Sequence, residues 1–339
     1  MRAVRLDAPG AGLRLVEVPL PEPSGTEVRI RVAGCGVCHT DLHIVDGVQA
    51  RVELPLILGH EVAGWVDALG PDAESTAIGE AVLVYGGWGC GICRECASGN
   101  GQRCPNGRSP GFQADGGYAE FMLVPHARHL VSLGSLDPIQ AAPLADAGLT
   151  SYRAVRRSEP WLKPGAHVLV IGCGGLGQFA IQYLRELHGA GRELVVAVAE
   201  RLASRTERAT ELGADHALLD ADAASALAAL GGHADVVFDF VGTDETLDLA
   251  AEVVAPDGIA VLVGEGRGGM RFGFERPAVE AWLTTTAWGS ITELREVVSL
   301  GQDGRLQLEV EVMDLANASA AHDRVRGGAV PGRLVLAPR

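Results

Sequence analysis

The sequence predicts an α/β protein of two parts: a β-rich module, and a doubly wound parallel sheet. Three observations carry this. Up to about Pro143 the chain reads as short alternating apolar/polar runs broken by Pro and Gly. Beyond it, continuous apolar runs alternate with helical segments: His167–Ile171, Leu194–Ala199, Ala217-Leu-Leu, Val236–Phe240 and Ile259–Val263. That is the pattern of a parallel sheet covered on both faces. Finally, 339 residues exceed the size at which one core stops growing, so two domains are expected.

Composition narrows the function. The chain is 47% hydrophobic and 21% charged, a globular balance, with no apolar run long enough to cross a bilayer. Its net charge is −15 and Lys163 is its single lysine, which argues against a nucleic-acid or anionic-membrane surface. The start, Met-Arg-Ala-Val-Arg-Leu-Asp, lacks the apolar core of a signal peptide, so a cytoplasmic protein is expected. Four of the seven cysteines crowd between Cys90 and Cys104. In a reducing compartment such a cluster reads as metal-binding.

In the first part, Arg14–Val18 and Val28–Val32 alternate as strands around the break Pro19-Leu-Pro-Glu-Pro-Ser-Gly25. Glu61–Leu69, Glu80–Tyr85 and Tyr118–Val124 read as further strands. Ala145-Asp-Ala-Gly-Leu-Thr-Ser-Tyr-Arg-Ala-Val then reads as a helix and Pro164-Gly165 as a turn. The Ala-rich stretch Asp220–Leu230 is helical, and the tail from about Thr284 returns to mixed strand and helix.

Gly172-Cys-Gly174-Gly175-Leu176-Gly177 follows the strand His167–Ile171 and opens the amphipathic helix Leu176–Leu187. A G-x-G-x-x-G run at such a junction marks a dinucleotide site. The first two glycines let the backbone approach the pyrophosphate, the third packs helix on strand, and the helix N-terminus attracts the phosphates. The next strand ends at Glu200, whose carboxylate can accept from both ribose hydroxyls and repels a 2′-phosphate, favouring NAD over NADP. Arg201 and Arg205 follow and can stack on adenine or tolerate a phosphate.

Two metal sites are expected. Cys90, Cys93, Cys96 and Cys104 have the spacing C-x2-C-x2-C-x7-C, which suits a closed, structural, tetrahedral zinc. Cys38 and His60, with an oxygen from Asp146 or Glu61, give the mixed donor set of a catalytic zinc with an open position. Asp41 is placed to hold His60 through its second ring nitrogen. A zinc there acts as a Lewis acid on an alcohol oxygen. Cys35 and Cys173 read as packing residues.

Gly59-His-Glu-Val-Ala-Gly64, the four-Cys lobe, Asp115-Gly-Gly-Tyr-Ala-Glu120, Ala145-Asp-Ala-Gly-Leu-Thr150 and the glycine run together resemble the zinc-dependent alcohol dehydrogenases of the medium-chain dehydrogenase/reductase family. The resemblance spans the chain in the family's order. It implies a GroES-like catalytic domain at 1–147 with 286–339, and a Rossmann domain at 148–285 between its halves. It also implies Cys38, His60 and Asp146 as catalytic zinc ligands, with Glu61 able to approach the metal. Thr40 and His43 are implied as the hydroxyl and imidazole of a proton relay. Thr150 would pack behind the nicotinamide and Arg333 reach the pyrophosphate. Val241 and Val263 complete the expected cofactor contacts, and Trp88 and Trp288 the expected substrate walls, with Ile44 and Leu123 as further candidates.

Two positions depart from the family's usual pattern. Asp146 stands where many relatives have Cys, as in a subset that includes bacterial secondary-alcohol dehydrogenases, and Gly79-Glu80 replaces Gly-Asp. Phe238-Asp-Phe-Val-Gly242 and Trp288-Gly-Ser290 look like that secondary-alcohol branch. The expected activity is therefore reversible hydride transfer between a secondary or hydrophobic alcohol and NAD, with two zinc ions per chain. The alternatives are a polyol or diol dehydrogenase with the same machinery, and a non-catalytic nucleotide-binding relative. The resemblance further implies a homotetramer in preference to a dimer.

Overall fold

Val28–Gly36 is the strand around which the N-terminal half is assembled. Val28, Ile30 and Val32 point into the core while Arg29 and Arg31 point away, the period-two pattern of a half-buried strand. It pairs antiparallel with Glu61–Leu69, and on its other side with Phe121–Val124 and then Arg333–Ala337. A computed structural model describes residues 1–49, 51–188, 193–330 and 332–338. The chain divides into two units, Met1–Leu149 with Trp288–Arg339, and Thr150–Ala287.

The main sheet of the first unit runs Val310–Asp314, Arg333–Ala337, Val28–Gly36, Glu61–Leu69, Ala81–Val84, Leu130–Ser132, with Phe121–Val124 added on Val28–Gly36. A separate small sheet joins Arg14–Glu17, Arg2–Leu6 and Leu56–Ile57. Leu6, Ile30, Leu58, Tyr118 and Met122 are buried in the core of this unit. The chain's last strand thus lies beside one of its first. Its register sets Val335 opposite Gly36, and Gly36 lies opposite Glu61 on the far side.

The Thr150–Ala287 unit holds six parallel strands. In chain order they are His167–Ile171, Val195–Glu200, His216–Leu219, Ala234–Asp239, Val254–Leu262 and Trp282–Thr285. Their order across the sheet is 3-2-1-4-5-6, that of a Rossmann fold, whose ligand crevice lies where the order reverses between strands 1 and 4. Leu169, Ala197 and Val237 are fully buried at its centre.

Several boundaries differ from the sequence reading for local reasons. The strand expected to reach Phe240 stops at Asp239, because the Asp239 carboxylate captures the N–H groups of Val241 and Gly242 at 2.8 and 2.9 Å. The helix expected from Asp220 begins at Ala223, since Asp222 caps it by accepting from the Ser225 N–H at 2.8 Å. Tyr118 lies outside its expected strand, which starts at Phe121. The helix expected from Ala145 is interrupted: a 3₁₀ turn at Ala142–Ala145 gives way to the helix Ala147–Arg157, and Asp146 sits at the break with φ −131°. Among the described residues no helix is long and apolar enough to cross a membrane.

Candidate metal centre and nucleotide-binding site

The first site grows from the far end of Val28–Gly36. Beyond Gly36 the chain turns through Val37 and Cys38 into the helix His39–Val45. Asp41 secures that turn, its Oδ2 accepting from the Cys38 N–H at 2.9 Å. On the neighbouring strand, His60 and Glu61 stand at the start of Glu61–Leu69. A Cβ at Gly36 would lie 1.9 Å from Glu61 Oε2, so any side chain there would displace the carboxylate.

Cys38, His60, Glu61 and Asp146 are all buried, and each offers a donor atom within 4.8 Å of the others. Asp146 Oδ2 lies 3.8 Å from Cys38 Sγ and 3.6 Å from His60 Nε2. Donors placed 2.0–2.3 Å from a tetrahedral zinc are separated by roughly 3.3–3.8 Å. The thiol, imidazole and carboxylate therefore fit that ion. His60 Nδ1 faces Asp41 Oδ1 at 3.3 Å. Glu61 is engaged by Arg333, whose Nη2 bonds Oε1 and whose Nε lies 3.2 Å from Oε2. Burial drives the Glu61 carboxyl up, to about 7, against the pull of Arg333.

Thr40 Oγ1 lies 3.6 Å from Cys38 Sγ. His43 is one helical turn further along and half-buried. Trp288 presents its indole to His60 at 6.3 Å between ring centroids. It does so from a left-handed backbone, φ +50°, which a bulky residue adopts only under constraint. That constraint is visible: Tyr85 Oη donates to the Gly289 carbonyl at 2.7 Å, and Ser290 caps the following helix. Phe112, which sequence reasoning missed, packs 5.6 Å from His60 and 6.1 Å from Trp288. No motif surrounds it to signal this. Trp88 packs against His129, with ring centroids 6.4 Å apart. Ile44 is buried on the helix that carries Thr40, and Leu123 lies on a strand paired with Arg29.

The four-Cys lobe forms a second cluster of the same unit. Cys93 and Cys104 sulfurs are 3.7 Å apart, close to the roughly 3.8 Å edge of a tetrahedral zinc–sulfur site. Backbone N–H groups of Cys90 and Cys96 point at the sulfurs of Cys104 and Cys93. The N–H groups of Ile92 and Cys93 pull the Cys90 thiol down to about 6. Burial and the neighbouring sulfurs push Cys96 the other way, up to about 11, so four thiolates can gather here only with a cation between them.

In the Thr150–Ala287 unit the glycine run lies at the strand ends where the order reverses. Gly172 has φ +88°, and a Cβ on Gly177 would stand 1.9 Å from the Gly172 carbonyl, so helix and strand could not meet. Gly174 and Gly175 lie in the turn, and the Leu176 carbonyl accepts from Ser151 Oγ at 2.8 Å. Val241 flanks Gly172, and Val263 follows the fifth strand, its N–H bonded to the Asp239 carbonyl. Glu200 accepts at 2.7 Å from the N–H groups of both Cys173 and Arg201, which fixes the acid beside the loop. Arg205 stands 4.0 Å from Glu200, and Arg201 is exposed. Thr150 is buried near the start of the helix Ala147–Arg157.

Comparisons agree with this chemistry. Residues 24–135 match the alcohol dehydrogenase GroES-like domain, and residues 175–302 the zinc-binding dehydrogenase domain. The chain is 38% identical to the D-arabinose 1-dehydrogenase (NADP(+)) of Saccharolobus solfataricus, over 96% of this chain and 94% of that protein. It is 33% identical to the NAD-dependent alcohol dehydrogenase of Sulfurisphaera tokodaii, with both covered in full. The crystal structure of the alcohol dehydrogenase from the archaeon Aeropyrum pernix superposes with a TM-score of 0.93 at 33% identity, again over 100% of both chains. With its two thiol-containing donor clusters and its glycine-run nucleotide loop, the chain belongs to the zinc-dependent alcohol dehydrogenases of the medium-chain dehydrogenase/reductase family.

Proposed function

We propose that the protein oxidises a secondary or hydrophobic alcohol reversibly to its ketone or aldehyde, with NAD as partner. Cys38, His60 and Asp146 hold the catalytic zinc, and Cys90, Cys93, Cys96 and Cys104 the structural one. The observation that carries the reading is the convergence of a thiol, an imidazole and a carboxylate at 3.6–3.8 Å in a buried site. Zinc supplies a Lewis acid that makes an alcohol hydroxyl acidic. NAD supplies the hydride acceptor.

The remaining work falls to the chain's own residues. Thr40, beside Cys38, takes up the hydroxyl proton, and His43 passes it towards water. Trp288 and Phe112 give the substrate an apolar wall and exclude water from it. Glu61 stays tied to Arg333 in the resting state, so Asp146 completes the donor set. Glu200 binds the ribose hydroxyls, its charge favouring NAD, and Arg201 and Arg205 flank the adenine.

A second reading, a sugar or polyol dehydrogenase, is supported by the 38% identity to a D-arabinose 1-dehydrogenase. NADH formation by the zinc-loaded protein against secondary, primary and polyhydroxylated alcohols separates the two. Preference for secondary or aryl alcohols supports the first. Preference for aldoses or polyols supports the second, and turnover of none of them contradicts both.

We place the protein in the cytoplasm, a reading supported by its cysteines, none of which forms a disulfide among the described residues. Self-assembly is supported by the sheet edge Trp282–Thr285. Trp282 is 58% exposed there, and Phe274, in the segment leading to it, is 91% exposed. An open apolar edge of this kind is normally covered. The family resemblance supplies the number, a homotetramer; sedimentation as a monomer at micromolar concentration would contradict it.

A further inference from the structure

Next to Asp41 lie two polar side chains that the proposed chemistry does not use. Tyr118 is fully buried, and its hydroxyl lies 3.2 Å from Asp41 Oδ2. The same hydroxyl lies 3.2 Å from Nε2 of His322, itself buried on the C-terminal helix Ala318–Arg326. The two rings meet edge to face, with centroids 5.8 Å apart. Tyr118 is fixed by its own backbone, its N–H bonded to the Leu58 carbonyl and its carbonyl accepting from Val4. The helix carrying His322 is anchored to the end of the helix His39–Val45 by a two-pronged Arg326–Asp46 pair at 2.8 and 2.9 Å.

Proton counting gives this chain a direction. An ionised carboxylate only accepts, and a phenol has one proton. The Tyr118 proton therefore goes to Asp41, and the Tyr118–His322 contact is made by an Nε2–H of His322 donating to the phenol oxygen. Asp41 Oδ2 then accepts from Tyr118 and from the Cys38 N–H, while Oδ1 faces His60. One carboxylate thus touches the backbone of one proposed zinc ligand and the ring of another, and it is held by Tyr118, which His322 holds in turn. If Tyr118 let go, Asp41 could rotate towards a different compromise between Cys38 and His60.

We propose that Tyr118 and His322 are positioning residues of the catalytic metal centre: through Asp41 they hold Cys38 and His60 in ligand geometry, so the C-terminal helix sets how tightly that centre keeps its metal. The inference rests on the assignment of Cys38, His60 and Asp146 as ligands. Partners outside the ligand shell typically contribute 10–100-fold to metal retention.

The test is the rate of zinc transfer from the zinc-loaded enzyme to a chromogenic chelator. Its two phases are assigned with Cys38→Ser, which removes the catalytic one. Tyr118→Phe and His322→Leu should speed the catalytic phase about tenfold or more and leave the four-Cys phase unchanged. His322→Gln, which keeps a donor N–H, should restore most of the difference. Wild-type release rates in Tyr118→Phe and His322→Leu would overturn the proposal, as would equal acceleration of both phases. A wild-type protein that binds a single zinc would overturn the ligand assignment beneath it instead.

Discussion

Arg333, at the start of the last strand, places its guanidinium on the carboxylate of Glu61, and both side chains are buried. The pair exists because the final strand returns to lie beside Val28–Gly36, with Val335 and Glu61 both opposite Gly36. Removing one partner of a buried pair leaves a charge without compensation, at a cost of about 3–5 kcal/mol.

Arg333→Leu should therefore destabilise the zinc-loaded protein by about that amount in chemical denaturation at pH 8. Because burial already drives Glu61 up to about 7 with the cation beside it, the variant's Glu61 takes up its proton at a higher pH still, so the deficit should shrink as pH falls towards 7 and stay level below it. Adding Glu61→Gln should recover most of the loss. If the single variant is as stable as wild type, the pair does not hold the site together. A raised KM for NAD in Arg333→Leu would show that the guanidinium also serves the cofactor.

Asp146 is the third donor in this account, and Glu61 is not. Asp146→Ala should lower the zinc content from two to one per chain and abolish turnover, whereas Glu61→Gln should keep both ions. Elemental analysis of purified protein decides this. Two zinc ions in Asp146→Ala and one in Glu61→Gln would reverse the assignment.

The parts of the molecule most legible in the sequence are local. The glycine run and the apolar strands around it announce the nucleotide fold because strand, turn and helix are contiguous. The four cysteines announce their cluster because one loop carries them all. Cys38, His60 and Asp146 could be named as candidates, but their convergence depends on sheet register and on a break between two helical segments, and neither has a sequence signature. Arg333 and Glu61 meet only because the tail inserts beside the first long strand. Phe112 and His322 belong to no motif. His322 sits on a helix face otherwise buried through Ala318, Ala321 and Val325, where a single histidine reads as packing. Tyr118 stands inside the motif Asp115–Glu120, yet its partner Asp41 lies far away in sequence.

Cofactor choice turns on Glu200, whose oxygens are fixed by the Cys173 and Arg201 N–H groups. Glu200→Ser removes both the ribose acceptor and the charge that repels a 2′-phosphate, and leaves Arg201 and Arg205 in place. The NADP:NAD ratio of kcat/KM should rise at least about tenfold, the equivalent of about 1.4 kcal/mol. An unchanged ratio would show that selectivity lies elsewhere.

His129 lies nearly parallel to Tyr85 and tilted 40° to Trp88, and accepts from Arg128 Nε at 3.3 Å. Burial, reinforced by the Arg128 charge, pushes its pKa down to about 3. The unfolded chain, with an imidazole near 6.5, binds the proton first. The stabilisation is thus complete above about pH 6.5 and is lost as pH falls towards 3. Between pH 7 and 4.5 the wild type should lose roughly 2–3 kcal/mol more than His129→Phe, measured by denaturation at each pH. Parallel curves would mean that His129 is not buried neutral.

Whether Cys38 belongs to a catalytic metal centre is decided by steady-state NADH formation in Cys38→Ser. The measurement needs the best alcohol found for the wild type and equal occupancy by NAD. The variant should bind NAD normally, keep the four-Cys zinc and lose turnover by at least about a thousandfold, or about 4 kcal/mol. Turnover within a few-fold of wild type would contradict that assignment.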